Sequence, residues 1–193
     1  MSVKSSSGVW YINYSSDGFN DSWDVTRTGC GDATNHPVPA DYDGDGKADI
    51  SIKNDAGFWM IDYAQGGFGS WNLTVSQYGA SDAHPVPADY NGDGKADLSI
   101  KADWGSWYIN YSSDGFNDGW DKIVTGYGDA TNHPVPGDYD GDGKADLSIK
   151  NDNGDWKSDY AQGGFNGFEE TNILYGGSTV LPPDFCQISV IKF

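Results

Sequence analysis

Aspartates at fixed spacing are the residues of this 193-residue chain best suited to chemistry. The segment Asp41-Tyr-Asp-Gly-Asp-Gly-Lys-Ala-Asp49 places carboxylates at loop positions 1, 3, 5 and 9, and the glycine at position 6 lets the chain bend back on itself. Carboxylates crowded in this way repel one another unless a cation neutralises them or some of them are protonated. The spacing therefore predicts a site for a hard divalent cation, which takes six to eight oxygen ligands.

The same loop occurs three times. The predicted ligands are the side chains at positions 1, 3, 5 and 9 and the backbone carbonyl of the lysine at position 7. They are Asp41, Asp43, Asp45, Lys47 and Asp49, then Asp89, Asn91, Asp93, Lys95 and Asp97, then Asp138, Asp140, Asp142, Lys144 and Asp146. Calcium is favoured because magnesium demands tighter octahedral geometry and keeps its waters. We therefore expect about three Ca²⁺ ions, with the weakest binding in the second loop, where Asn91 carries no charge.

A helix-loop-helix calcium site is the obvious alternative for such loops. It needs a bidentate glutamate at loop position 12. Ile52, Ile100 and Ile149 occupy that position, each inside an apolar run that is typical of a strand. The alternative is excluded.

Repetition shows which elements must hold these loops. The segment His36–Lys53 returns almost unchanged at His84–Lys101 and at His133–Lys150, which are 48 and 49 residues further along. A period of this length is typical of a propeller or a solenoid. We divide the single domain 1–193 into units of about 1–35, 36–83, 84–132 and 133–179, with 180–193 completing the first unit.

Each unit reads as four short strands separated by glycine and aspartate turns, with no helical periodicity. In the second full unit the predicted strands are Val86–Tyr90, Ala96–Lys101, Gly105–Tyr111 and Lys122–Thr125. Four antiparallel strands form one propeller blade, and radial closure hides edge strands. The expected fold is all-β, a β-propeller of about four four-stranded blades.

The Asp-x-Asp-x-Asp-Gly-x-x-Asp loop before an apolar strand, repeated about every 48 residues, resembles the FG-GAP/VCBS repeats of integrin α-type propellers. The resemblance covers almost the whole chain. It implies that calcium sits between the first and second strands of a blade. The fourth unit departs from the pattern after Asp184, which leaves a fourth calcium ion in doubt.

The ends of the chain bear on closure of the ring. Segments 179–185 and 187–193 read as the first two strands of a blade that Val9–Tyr14 and Asp24–Thr28 complete, so pairing of the N- and C-terminal strands would close a four-bladed ring. Two chains forming a larger ring are the alternative.

Two further features fall in this closing blade. Ser2–Lys4 duplicates the second strand that 187–193 would provide. Cys30 and Cys186 also lie in the closing blade, where they form either a disulfide or two unpaired thiols.

Tryptophans occupy two repeated positions. Trp10, Trp59, Trp107 and Trp156 are expected to pack between blades. Trp23, Trp71 and Trp120 lie beside glycine- and asparagine-rich turns, where they could bind sugar rings or wedge between outer strands. The repeated histidines His36, His84 and His133 are expected to be structural hydrogen-bonding residues.

Two functional classes fit these residues. No catalytic residues are predicted, because a catalyst needs one asymmetric cluster and the sequence offers equivalent residues in every unit. The favoured class is a non-enzymatic, calcium-stabilised binding module, lectin-like or adhesive, that recognises glycans or a surface protein as a monomer or dimer. The alternative is a polysaccharide lyase or hydrolase on the same scaffold.

Charge and hydropathy limit the partners. The net charge of −18 would repel nucleic acid and anionic lipid. No apolar run is long enough to span a membrane, so membrane insertion is not expected. The first residues lack a signal-peptide pattern, although the resemblance favours a secreted or cell-surface location.

Overall fold

A computed structural model describes residues 1–19, 22–117, 119–168 and, for the backbone alone, 170–174. The described chain is all-β and forms four small antiparallel sheets. Its helical content is four single 3-10 turns, at Ser15–Asp17, Ala64–Gly66, Ser112–Asp114 and Ala161–Gly163. The predicted all-β class is therefore confirmed.

Each sheet corresponds to one sequence unit. Sheet 1 contains β1 (Ser2–Lys4), β2 (Trp10–Ile12) and β3 (Val25–Arg27). Sheet 2 contains β4 (Asn35–Pro37), β5 (Ile50–Asn54), β6 (Trp59–Asp62) and β7 (Leu73–Val75). Sheet 3 contains β8 (Ala83–Pro85), β9 (Leu98–Ala102), β10 (Trp107–Asn110) and β11 (Lys122–Val124). Sheet 4 contains β12 (Asn132–Pro134), β13 (Leu147–Asn151), β14 (Asp155–Asp159) and β15 (Glu170–Leu174). In every sheet the strands lie side by side in chain order.

One predicted strand was misplaced. The first strand of sheet 3 is Ala83–Pro85 instead of Val86–Tyr90. The backbone N–H of Val86 still donates to the carbonyl oxygen of Ser99 at 2.9 Å. Pro87 has no N–H with which to continue the ladder, so the regular strand ends there. The other three strands of this sheet lie within or next to the predicted segments.

Sheet 1 has three strands in the described residues. Ser2–Lys4 pairs with β2 in the position that the second strand takes in the other sheets, with Val3 opposite Tyr11. This places Ser2–Lys4 inside the sheet, which the sequence left open. The predicted closing strands 179–185 and 187–193 lie outside the described residues, as does Cys186. Cys30, its proposed partner, is 7% exposed.

Large apolar side chains fill the space between successive sheets. The packing contact between two such sheets is called a joint below. Trp10 packs with Ile50 and Ile52 across joint 1–2, and Trp59 packs with Leu98 and Ile100 across joint 2–3. Trp107 packs with Leu147 and Ile149 across joint 3–4. These three tryptophans are 0–2% exposed, which confirms the predicted packing for them. The fourth, Trp156 of sheet 4, is only partly buried.

Candidate metal centre

The three acidic loops occupy equivalent places in the fold. Loop 41–49 connects the first strand of sheet 2 to the second, and loops 89–97 and 138–146 do the same in sheets 3 and 4. Within two of them, carboxylate oxygens converge. One oxygen each from Asp41, Asp43 and Asp45 lies within 4.8 Å of the other two, as do oxygens of Asp138, Asp140 and Asp146. These two clusters could each hold a metal ion.

The second loop has no such cluster of three carboxylates among the described residues. Asn91 stands where the other loops have aspartate, and its side-chain amide donates to a carboxylate oxygen of Asp93 at 3.3 Å. The expectation that this loop binds calcium most weakly stays a prediction.

The aspartate at position 1 shapes each loop. The Asp41 carboxylate accepts backbone hydrogen bonds from Gly44 at 2.7 Å and from Gly46 at 2.8 Å. Both glycines have positive φ, 80° and 84°, a conformation that a side chain would strain. Asp89 and Asp138 accept the equivalent bonds in their loops. The loops are therefore held in a bent form by their own backbone donors.

The aspartate at position 9 faces inward. Asp49 is 1% exposed, and it accepts from the backbone N–H groups of Tyr42 and Ala64, both at 2.8 Å. It thus ties the acidic loop to the 3-10 turn after β6. Asp97 and Asp146 make the same pair of bonds in their sheets. This position consequently has a structural role besides the predicted ligand role.

Burial also changes the acidity of these groups. Desolvation raises the pKa of Asp49 to about 6 and that of Asp97 to about 7, against the opposing effect of their backbone hydrogen bonds. The charges of neighbouring loop carboxylates add to the increase. Burial raises the pKa of Asp43 and Asp146 as well.

These pKa increases predict how the metal-free protein responds to pH. A carboxyl group whose pKa is raised by folding stabilises the fold fully below its unfolded pKa, near 4, and this contribution is lost as the pH rises through the folded pKa. In protein stripped of divalent cations, we expect the free energy of unfolding to fall by roughly 1–3 kcal/mol between pH 5 and pH 8. Urea unfolding at pH 5, 6.5 and 8 measures this. Equal stability at the three values would contradict the assignment.

Neighbouring loops contact each other in a way that the sequence did not predict. The backbone N–H of Ala96 donates to the carbonyl oxygen of Asp41 at 2.7 Å, and Ala145 donates to Asp89 in the same manner. A methyl group added at Gly44 would lie 3.1 Å from Cγ of Lys95, so this lysine side chain lies over the first loop. The predicted ligand-bearing loops therefore lie side by side along the array of sheets.

Buried lysines are a second feature that sequence reasoning missed. Lys53 and Lys101 are 1% and 0% exposed, and burial lowers the pKa of both. Nζ of Lys53 donates to the carbonyl oxygen of Ala80 at 3.1 Å, and Nζ of Lys101 donates to that of Asp129 at 2.8 Å. Each lysine thus bridges its own sheet to the segment that enters the next. The sequence did contain a signal for these buried lysines, because a lysine stands at the end of the same apolar run in every unit.

The three tryptophans proposed as ligand-binding residues differ in exposure. Trp23 is 44% exposed, and its ring centroid lies 5.6 Å from that of Tyr11. Trp71 is partly buried against the core of joint 1–2. Trp120 lies between Tyr78 and Tyr108, with ring centroids 4.6 and 5.3 Å away.

Trp120 also lines an open groove of about 460 Å³ between sheets 2 and 3. The groove runs along β7 and faces Phe116 and Asn117 across joint 2–3. None of the described residues that line it is charged, in a protein whose net charge is −18. Joints 1–2 and 3–4 carry a charged side chain at the corresponding place. Arg27 donates across joint 1–2 to the carbonyl oxygen of Gly67, and Lys122 donates across joint 3–4 to that of Gly164.

The repeated histidines make equivalent contacts. Their Nε2 atoms lie 2.8–3.2 Å from aspartate Oδ1 atoms in the turn between the second and third strands. The pairs are His36 with Asp55, His84 with Asp103 and His133 with Asp152. This confirms the predicted hydrogen-bonding role.

Comparison with known proteins adds no identification. No protein-family model matches the chain, and no curated protein matches it at a significant level. In the part of the chain that the structure describes, no helix is long and apolar enough to span a bilayer.

Proposed function

We propose that this chain is a calcium-stabilised β-propeller module of the FG-GAP/VCBS type that binds neutral glycans outside the cytosol. The observation that carries the proposal is the equivalent placement of three acidic loops, each between the first and second strands of its sheet. That is the place that the resemblance assigns to calcium. Crowded carboxylates on loops pre-bent by glycine suit a hard cation with many oxygen ligands.

The sheets are interpreted as propeller blades. They follow one another in chain order, and each buries large apolar side chains in a joint with its neighbour. In sheets 2, 3 and 4, the acidic loop of one sheet contacts that of the next. A radial array of small antiparallel sheets has these features.

Binding is favoured over catalysis by the symmetry of the polar groups. The aspartates, histidines and lysines described above recur at equivalent positions in successive sheets. A catalytic centre requires one group of acid, base or nucleophile that differs from its surroundings. Calcium in this proposal stabilises the scaffold, and the ligand binds elsewhere.

The groove between sheets 2 and 3 is the proposed ligand site. Its described lining includes the aromatic Trp120 and the hydroxyl and amide groups of Thr74, Gln77 and Asn117. Aromatic faces beside hydroxyl and amide groups suit a sugar ring, which has an apolar face and polar edges. A neutral saccharide is favoured because the described residues of the lining offer no charged side chain to a charged ligand.

A glycan array tests this site. Replacing exposed Thr74 with arginine fills the groove, so we expect Thr74→Arg to weaken glycan binding at least about tenfold. Thr26 has the same place on β3, where it lies opposite Tyr11 as Thr74 lies opposite Met60. The matched control Thr26→Arg should bind like the wild type. Equal loss in both variants, or no glycan bound by the wild type in calcium, would refute the proposed site.

A further inference from the structure

Two aromatic side chains at opposite ends of the array are exposed where their repeat equivalents are buried. Phe19 of sheet 1 is 49% exposed, whereas the equivalent Phe68, Phe116 and Phe165 are 3–8% exposed. Tyr139 of sheet 4 is 48% exposed, whereas the equivalent Tyr42 and Tyr90 are 2% exposed. The sequence gives no reason for the difference, since the residues are identical in type.

The internal joints show what these residues normally contact. In joint 3–4, the Tyr90 ring lies 6.5 Å from the Trp107 ring on its own sheet and 6.4 Å from the Phe165 ring on the next sheet, both in edge-on geometry. In joint 2–3, Tyr42 and Trp59 share a core cluster with Phe116. In joints 2–3 and 3–4, a tyrosine and a tryptophan of one sheet thus receive a phenylalanine from the next sheet.

Sheet 4 presents the first half of such a joint already formed. Tyr139 lies 6.5 Å from Trp156 at an interplanar angle of 71°, compared with 6.5 Å and 76° for Tyr90 and Trp107. Its hydroxyl donates to the carbonyl oxygen of Val135 at 2.8 Å, the same bond that holds Tyr90. The exposed ring is therefore fixed in the orientation that receives a phenylalanine in the buried joints.

Sheet 1 presents the second half. Phe19 has a positive φ of 54°, close to the 55–61° of its three buried equivalents. Trp23 beside it is 44% exposed, although the equivalent Trp71 and Trp120 pack into joints. Among the described residues, core clusters form joints 1–2, 2–3 and 3–4, and none joins sheet 4 to sheet 1.

We propose that the Tyr139 face of sheet 4 docks on the Phe19 face of sheet 1 in a second copy of this chain. Joints 2–3 and 3–4 provide the template for this contact, because Tyr139 and Phe19 keep the geometry that their equivalents have when buried. Both rings are about half exposed, and the described residues of the four sheets leave this joint unfilled. Two copies related by a twofold axis can form two such joints, because sheet 4 of each copy meets sheet 1 of the other. The dimer would contain eight sheets, the upper end of the usual propeller range of about 4–8 blades.

Sedimentation velocity of the 193-residue chain in calcium tests the proposal. We expect the wild type to sediment as a dimer that dissociates on dilution. A wild type that stays monomeric at all concentrations would overturn the proposal, and it would indicate that sheet 1 of the same chain closes the joint. Calcium binding and glycan binding would be unaffected by that result, so the function proposed above is tested separately.

Substitutions at the two ends sharpen the test. Phe19→Asn keeps a residue that tolerates positive φ and removes the ring, while Tyr139→Ala removes the receiving face. We expect each variant alone to dissociate at least about tenfold more readily than the wild type. Mixed together they retain one intact joint, between Phe19 of one variant and Tyr139 of the other, so we expect the mixture to form a heterodimer.

The mixture also controls for misfolding, since a variant that failed to fold could not restore association. Ile123→Ala provides a matched control, because Ile123 is 53% exposed on β11 and belongs to neither end face. Dimers that persist in both end variants, or a mixture that stays monomeric, would contradict the head-to-tail joint.

Discussion

Removing calcium is expected to lower the unfolding temperature of this protein by about 10–20 °C. An ion that binds only the folded state stabilises it by about 2.7 kcal/mol when its free concentration is 100 times the dissociation constant. Two ions in the loops of sheets 2 and 4 would together contribute about 5 kcal/mol on this basis. In a chain of this length, 1 kcal/mol shifts the midpoint by about 2–4 °C. Scanning calorimetry in calcium and in a chelator measures the difference.

The number of ions can be measured on the intact protein. Asp43 and Asp140 occupy position 3 of their loops, and both belong to carboxylate clusters. In native mass spectrometry we expect Asp43→Ala and Asp140→Ala each to lose one calcium ion. Asp82 is exposed and lies outside the loops, so Asp82→Ala should keep the full number. A melting curve that does not change on exhaustive chelation, with no calcium in the mass spectrum, would refute the metal assignment.

The repeat period carried most of the predictable information. Apolar runs recurring every 48 or 49 residues predicted four sheets and the burial of Trp10, Trp59 and Trp107 between them. The exact start of a first strand was not predictable, because it depends on where pairing begins and where Pro87 interrupts the ladder. Propensity alone therefore placed that strand three residues too late.

The sequence predicted which residues form the acidic loops, but not all the contacts that these residues make. Spacing identified the acidic loops, but it treated positions 1 and 9 as ligands equal to the others. Asp41 also holds the bend of its own loop, and Asp49 also joins that loop to a turn that lies 15 residues further along the chain. Such contacts depend on how β5 and β6 bring distant segments together, which a linear pattern does not contain.

Replacing Asp97 is the second change that we expect to have a large effect on stability. Its carboxylate is fully buried and accepts backbone hydrogen bonds from Tyr90 and Ser112, both at 2.9 Å. Removing it leaves two backbone N–H groups without an acceptor in or near the core, and each such group costs about 1–3 kcal/mol. We therefore expect Asp97→Ala to lower the free energy of unfolding by about 2–5 kcal/mol, measured by urea unfolding.

Comparison with Asp93 separates this structural role from metal binding. Asp93 belongs to the same loop but is exposed, so in a chelator Asp93→Ala should reduce stability much less than Asp97→Ala. The loss in Asp97→Ala should persist in the chelator, because the orphaned N–H groups do not depend on the ion. Asp97→Asn should recover part of the stability, since its amide oxygen can still accept one bond. If the two alanine variants behaved alike in the chelator, Asp97 would act only as a metal ligand, and the connection it makes between the acidic loop and the 3-10 turn would contribute nothing to the fold.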